Sequence, residues 1–476
     1  VQILDRFYIG GEWVSPVGTE TLPIMNPASN SRIGTLALGN AADVDRAVAA
    51  AREAFESYAR TTKAERLALL HRLLDLTRRR QGDLARAMTA EMGAPATMSH
   101  DVQAESGIGH LESFIEALEA LDEEETLPNG DILTREPIGV VGMITPWNWP
   151  INQIALKVIP ALATGATCVL KPSEHTPLSA NIYAEIVHEA GCPAGVFNLV
   201  HGDGPTVGAA LSRHPDVAMV SFTGSTRAGV NVSRNAAEGV KRVTLELGGK
   251  SPNLVFADCD LERRIAEGVA ECFDNTGQSC NAPTRMLVER SCYDRALELA
   301  RAAAEAQKVG DPALEGDHIG PLFDRIQYDR VQAMIKAGIA EGATLLAGGP
   351  GKPEGLEQGW FVRPTIFADV TNDMRIAREE IFGPVLVMMP FDTEDEAIRI
   401  ANDTDYGLAA FVQTGDAERA RRVGDRLRAG VIAVNGRGPG YGSPFGGYKK
   451  SGNGREGGIL GLEDYQEIKV RPPFAP

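Results

Sequence analysis

No run of eighteen uncharged apolar residues occurs in this 476-residue chain, which argues against a membrane-spanning helix. Residues 1–11 lack a basic stretch followed by an apolar one, so no secretory leader is expected there. Cysteine is scarce, with six thiols at 168, 192, 259, 272, 280 and 292. None forms a C-x-x-C pair and no tight Cys/His cluster accompanies them, so no metal is expected. Six thiols in so long a chain make no disulfide framework, and a cytoplasmic, reducing setting is expected. Most of them should be buried and inert. Basic residues are outnumbered, 47 Lys and Arg against 64 Asp and Glu, for a net charge of −17. That balance disfavours nucleic acid and anionic membrane as partners.

What is present is the composition of a globular protein, 43% hydrophobic and 23% charged, with length for two or three domains. Residues 43–59 put Val44, Val48, Ala51, Phe55 and Tyr58 on one helical face. Stretches 63–92 and 101–121 read as further helices, with 122–125 a solvated acidic helix end. From Gly139, short apolar runs (140–145, 168–171, 197–200, 217–222, 243–247) alternate with helical stretches such as 151–164 and 178–190. That alternation predicts a parallel sheet with crossover helices, a doubly wound α/β domain. A second α/β rhythm runs from Pro252 to about Asn435, with helices near 261–274 and 293–308. Residues 436–458, rich in glycine and serine, read as a long loop. Segments 126–136 and 464–470 read as strands belonging to neither core.

Phosphate signatures are incomplete. The dinucleotide fingerprint G-x-G-x-x-G is missing; Gly202, Gly204 and Gly208 come nearest, one residue too widely spaced. A tight turn before a short helix explains them as well. Phe222-Thr223-Gly224-Ser225 ends a strand and opens a helix, which suits either a pyrophosphate or an N-cap. Gly248-Gly249-Lys250-Ser251 ends like a P-loop, but Thr244 stands where the first glycine belongs, so ATP binding is not supported.

Three segments carry chemistry. In Gly277-Gln278-Ser279-Cys280-Asn281, a cysteine beside glycine in a connecting segment is open to substrate, and thiolate character would make it a nucleophile toward a carbonyl. Taken alone, the pattern fits a buried structural thiol equally well. Leu245-Glu246-Leu247 puts a carboxylate at the end of an apolar strand, where poor solvation raises its pKa and makes it a general base. Pairing with Lys241 or Arg242 is the alternative. In Thr145-Pro146-Trp147-Asn148-Trp149-Pro150, two prolines and two tryptophans stiffen a strand end, and the Asn148 amide is placed to donate to an oxyanion or to hold its own turn.

Seven motifs together resemble the aldehyde dehydrogenase superfamily. They are 146–150, Lys171-Pro172-Ser173-Glu174, 222–225, Glu246-Leu247-Gly248-Gly249-Lys250, 277–280, Glu380-Ile381-Phe382-Gly383-Pro384 and Pro444-Phe445-Gly446-Gly447-Tyr448-Lys449. They occur in the family's order and span nearly the whole chain. The resemblance implies an NAD(P)-dependent enzyme that oxidises an aldehyde to a carboxylic acid. Cys280 would form a thiohemiacetal and then a thioester, Asn148 would hold the oxyanion, and Glu246 would activate the hydrolytic water. Lys157 and Glu456 match proton-relay positions. The cofactor would meet Thr145, Pro146, Trp147, Lys171, Ser173, Glu174, Gly204, Gly208, Phe222, Thr223, Gly224, Ser225, Leu247, Glu380 and Phe382. Glu174 accepts ribose hydroxyls and repels a 2′-phosphate, which favours NAD, while Lys171 beside it keeps NADP possible.

The same resemblance implies a dinucleotide-binding domain at 1–118 and 138–249, a catalytic domain at 250–449, and an oligomerisation element at 119–137 and 450–476. A homodimer or homotetramer follows, since exposed strand edges otherwise invite aggregation. Glu246 favours hydrolysis over transfer to coenzyme A. The alternatives are a semialdehyde-specific or coenzyme A-acylating relative, or a non-catalytic binding protein of the same fold. Trp149, Asn152, Gln153, Leu156, Ser279, Asn281 and Phe445 would line the substrate side. Arg437 would meet a substrate carboxylate, unless it is a solvated loop arginine.

Overall fold

Five parallel strands form the centre of the first sheet in the computed structural model, which describes residues 2–475. Their spatial order is Arg242–Glu246, Met219–Thr223, Val140–Ile144, Thr167–Lys171 and Phe197–Leu199. The Val, Ile and Leu content that predicts buried strands is matched by burial of every residue in the middle three. Helices Pro150–Thr164, Pro177–Glu189 and Thr226–Ala237 make the crossovers. Because the chain order reverses between Val140–Ile144 and Met219–Thr223, a crevice opens at their C-terminal ends, where doubly wound sheets bind ligands. From the Glu246 strand to the Lys171 strand is three steps, about 14 Å at the usual strand spacing.

The second sheet has seven strands, in the order Thr344–Ala347, Thr365–Ala368, Val385–Phe391, Arg285–Glu289, Pro252–Val255, Ala409–Gln413 and Val431–Val434. All but the first pair in parallel. A third, antiparallel sheet joins Gln466–Arg471, Ile132–Pro137 and Glu124–Thr126, and accounts for the two segments expected to lie outside both cores. Among the described residues no helix is long and apolar enough to cross a membrane.

The structure differs from the sequence reading in five places. The 63–92 stretch is two helices, Lys63–Arg79 and Gln81–Met92, because Arg80 leaves helical geometry (ψ 6°) while its guanidinium bonds Asp83, Glu185 and Glu189. The helix expected at 101–121 is Glu105–Ala120, preceded by a wide π-type turn over Ser99–Ala104. Residues 122–125 are not a helix end, since Glu124–Thr126 is a charged edge strand without hydrophobic alternation. The 436–458 loop contains the strand Gly452–Asn453, which pairs with Leu245 and Glu246, so this part of the expected oligomerisation element is also an edge of the first sheet. Finally, five short N-terminal strands went unread; Phe7–Ile9 and Glu12–Val14 form a hairpin on the first sheet, and Gln2–Leu4, Glu20–Asn26 and Ser31–Leu38 form a separate small one.

Candidate active site

A cleft opens at the switch point. Its walls bring together Pro146, Trp147, Asn148, Thr223, Gly224, Ser225, Glu246, Leu247, Cys280, Glu380 and Phe382, all expected at the site. Gly248, Gln327 and Arg330 complete it.

Cys280 reaches the cleft along a strained path. Asn275, Thr276 and Gly277 take φ of 50°, 59° and 69° in succession. A left-handed conformation is rare for any side chain and rarer for β-branched threonine, and costs on the order of 1–3 kcal/mol per residue. Side chains hold it there. Asn275 Nδ2 donates to the Asn148 carbonyl at 2.9 Å, and Thr276 Oγ1 donates to the Gly320 carbonyl at 3.1 Å. Gly277 has no substitute, because a Cβ there would fall 2.2 Å from the Gly383 carbonyl. The glycines of two distant motifs therefore interlock.

Asn148 is fixed from three sides. Its carbonyl also accepts from Gln103 Nε2 at 3.1 Å, and its own Nδ2 donates to the Gln278 carbonyl at 3.0 Å. An amide NH₂ carries two hydrogens, so one is left for an oxyanion. The next residue, Trp149, donates from its indole to Ser279 Oγ at 2.9 Å, tying the helix start to the thiol segment.

Glu246 is buried, and neither carboxylate oxygen has a hydrogen-bond partner. The pairing alternative fails: Arg242 donates instead to the carbonyls of Asp464 and Gln466 and to the Glu467 carboxylate. Gly446 closes over the site, where a Cβ would sit 2.8 Å from Glu246 Oε1. Burial, and then the Glu456 carboxylate, push the Glu246 pKa well above its ordinary value against the pull of Lys157 and Arg455. Lys157, fully buried, donates to Glu456 and, at 2.8 Å, to Thr223 Oγ1, so the two expected relay residues are in contact. At Cys280, burial and then the Glu246 and Glu380 carboxylates push the thiol pKa up.

On the opposite wall, Glu380 Oε1 accepts the Gly249 N–H at 3.0 Å. Phe382 takes φ 60°, fixed by Gln327 Nε2 donating to its carbonyl at 2.7 Å, while Arg330 Nη2 donates to the Glu380 carbonyl at 2.5 Å. The sequence reading missed Gln327 and Arg330. Gln327 is a buried amide on the apolar face of Arg325–Ala340, in register with Val331 and Met334.

The remaining cofactor candidates stand further along the same sheet edge. Lys171 Nζ bonds Glu174 at 3.0 Å and the Pro172 carbonyl at 2.9 Å. Burial opposes ionisation of Glu174, yet Lys171 and His175 hold its pKa below the ordinary value. Thr145 donates its N–H to the Lys171 carbonyl at 3.1 Å, and Ser173 Oγ accepts from His175 N at 3.3 Å. Gly208 leaves room beside the Lys171 stem, whereas a Cβ on Gly204 would meet open space. Ser225 caps its helix by accepting the Ala228 N–H at 3.3 Å. On the substrate side, Asn152 Oδ1 is already engaged by His110 Nε2 at 2.7 Å, and Arg437 is exposed.

A cysteine, an unpaired glutamate and an oriented amide on a dinucleotide-type sheet edge define a class of enzyme, and the comparisons give it a family. Residues 13–471 match the Aldehyde dehydrogenase family, to which the chain belongs. It is 52% identical to a 3-succinoylsemialdehyde-pyridine dehydrogenase from Pseudomonas sp over 98% of both chains. Among solved structures it resembles an aldehyde dehydrogenase variant of Pseudomonas syringae in complex with NAD+ and octanal, with TM-score 0.98, 49% identity and coverage of 99% and 97% of the two chains. An NAD+ complex of a Bacillus cereus aldehyde dehydrogenase aligns with TM-score 0.95 at 40% identity, covering 98% and 96%.

Proposed function

We propose that the protein oxidises an aldehyde to the carboxylic acid with NAD, the acyl group being carried on Cys280. The observation behind this reading is the convergence of an unpaired Glu246, the Asn148 amide and the Cys280 thiol on one cleft. The thiol proton passes to solvent in the cleft as sulfur attacks the carbonyl carbon. The resulting oxyanion is met by the free Asn148 hydrogen and the Cys280 backbone N–H. Held by the 223–225 turn, Gly248, Glu380 and Phe382, NAD would supply the hydride acceptor for this oxidation. Glu246 then deprotonates the water that hydrolyses the thioester, and Lys157 with Glu456 passes the proton on.

The residues present fit the dinucleotide. Gly248 is a cradle, since a Cβ would fall 2.4 Å from Glu380 Oε2, and the 223–225 turn opens a helix N-terminus toward a pyrophosphate. Glu174 offers an ionised acceptor to ribose hydroxyls. Lys171 is already engaged by Glu174, which weakens the case for NADP. Complexes of two relatives with NAD+ support the same choice. The exposed Gln466–Arg471 edge supports assembly into a dimer or tetramer.

A semialdehyde is the second substrate reading, favoured by the name of the 52% identical relative. Hexanal and succinic semialdehyde, each tried with NAD and NADP, separate it from a plain alkyl aldehyde. In the same assay Glu246→Gln should keep the first-turnover burst of NADH, slow steady turnover about a hundredfold, and release free acid rather than an acyl-thioester. Loss of the burst would move the main role of Glu246 to thiol activation, and no NADH from any aldehyde would defeat the proposal.

A further inference from the structure

The helix that follows the Lys171–Glu174 turn is capped from elsewhere in the chain. Pro177–Glu189 opens at Thr176, whose side chain makes no capping bond. Pro177, in the first helical position, has no N–H to satisfy. The next two N–H groups, of Leu178 and Ser179, both donate to the Glu91 carboxylate, at 2.6 Å and 2.9 Å. Ser179 Oγ donates to it as well, at 2.5 Å. These are the donors that an N-cap side chain ordinarily satisfies.

Glu91 is fixed in its turn. It is 1% exposed and occupies the last turn of Gln81–Met92. Two residues on, a Cβ at Gly93 would fall 2.7 Å from Pro321 and 2.8 Å from Pro27, so the end of that helix has no room to drift. Between Lys171 and Pro177 run only five residues, closed by Thr176 N donating to the Ser173 carbonyl at 3.2 Å. Where the helix starts therefore decides where Glu174 points. Burial pushes the Glu91 pKa up to about 8 against its three donors, so a neutral isostere at this position relieves a burial cost.

We propose that Glu91 is a positioning residue for the cofactor. By capping Pro177–Glu189 from a separate helix, it holds the Glu174 carboxylate where the adenosine ribose hydroxyls meet it. This rests on the reading of Glu174 as the ribose acceptor, and the experiment separates the two.

Glu91→Gln keeps the shape but turns one acceptor oxygen into an NH₂ that faces a backbone donor. The expected result is a KM for NAD raised about five- to tenfold, the scale of a lost helix cap, with kcat at saturating NAD unchanged. The Kd for ADP-ribose should rise by the same factor, and the preference for NAD over its 2′-deoxyadenosine analogue should shrink. A lower Tm with KM and Kd within twofold of the wild type would show a cap that serves stability alone, and overturns the proposal. Glu174→Gln is measured alongside. If it leaves the KM for NAD unchanged, the ribose reading fails and the proposal with it. If it raises KM while Glu91→Gln does not, only the role of Glu91 fails. Should Glu91→Gln not fold, Ser179→Ala removes a single donor to the carboxylate; a rise of about twofold in KM supports the proposal and no rise overturns it.

Discussion

Two glutamates stand at the C-terminal edge of the same sheet in opposite surroundings. Glu246 ends its strand with both oxygens unpartnered beneath Gly446, beside a second carboxylate, and its pKa is driven up. Glu174 follows its strand by three residues, is bonded by Lys171, and its pKa is held down. One is kept hungry for a proton and the other is kept charged. Environments that push two like groups apart assign their tasks: a base where the chemistry runs, a fixed acceptor where a ligand is held. The two also bear on stability with opposite sign. Glu174 contributes above the ordinary carboxylate pKa, and that contribution fades as pH falls through its lowered value. For Glu246 stability is fullest below the ordinary pKa and is lost as pH rises through its raised value, so the catalytic end is the costly one at neutral pH.

The largest effect should come from the thiol between these regions. Cys280→Ser is expected to lower NADH formation on the order of a thousandfold or more, with ADP-ribose binding and the circular dichroism spectrum preserved. Retention of a tenth of the activity would mean that another group carries the acyl chain.

Much of this arrangement was legible in the sequence, and the reasons are local. The middle three strands of the first sheet announced themselves because each is buried throughout and so reads as a mostly apolar run. Cys280, Glu246 and Asn148 sit in motifs where glycine or proline makes the backbone unusual, and unusual backbone leaves a signature. The strain at Asn275 and Thr276 left none, because it depends on Gly320, Asn148 and Gln103, which lie far off in sequence. Gln327, Arg330 and Glu91 were missed for the same reason. Each acts through backbone groups brought near only by folding. Three of the N-terminal strands, Gln2–Leu4, Phe7–Ile9 and Glu12–Val14, escaped because three residues hold too little alternation to read.

The next effect tests the raised carboxylate directly. Hydrolysis of the Cys280 thioester, followed in single turnovers between about pH 5 and 9, should need ionised Glu246. The rate should therefore climb about tenfold per unit below its pKa, and level off well above the ordinary value of 4.5. In Glu246→Gln the limb should vanish and leave a slow, flat profile. A wild-type limb ending near the ordinary value would mean that water in the acylated enzyme solvates Glu246, and the contrast with Glu174 would collapse.

The smallest effect lies at the paired end. Glu174→Gln removes the charge that engages Lys171, and with it the repulsion toward a 2′-phosphate. The freed ammonium then becomes a partner for that phosphate, as a point charge rather than a shaped site. KM for NAD should rise a few-fold while KM for NADP falls, so that the NAD:NADP ratio of kcat/KM moves by about tenfold, the worth of one charge-assisted bond. Because the gain for NADP is electrostatic, it should shrink as salt is raised, whereas the loss for NAD, a matter of hydrogen bonds to hydroxyls, should not. An unchanged ratio at low salt would place the selectivity elsewhere along the sheet edge and leave the Lys171–Glu174 pair a device for holding the turn.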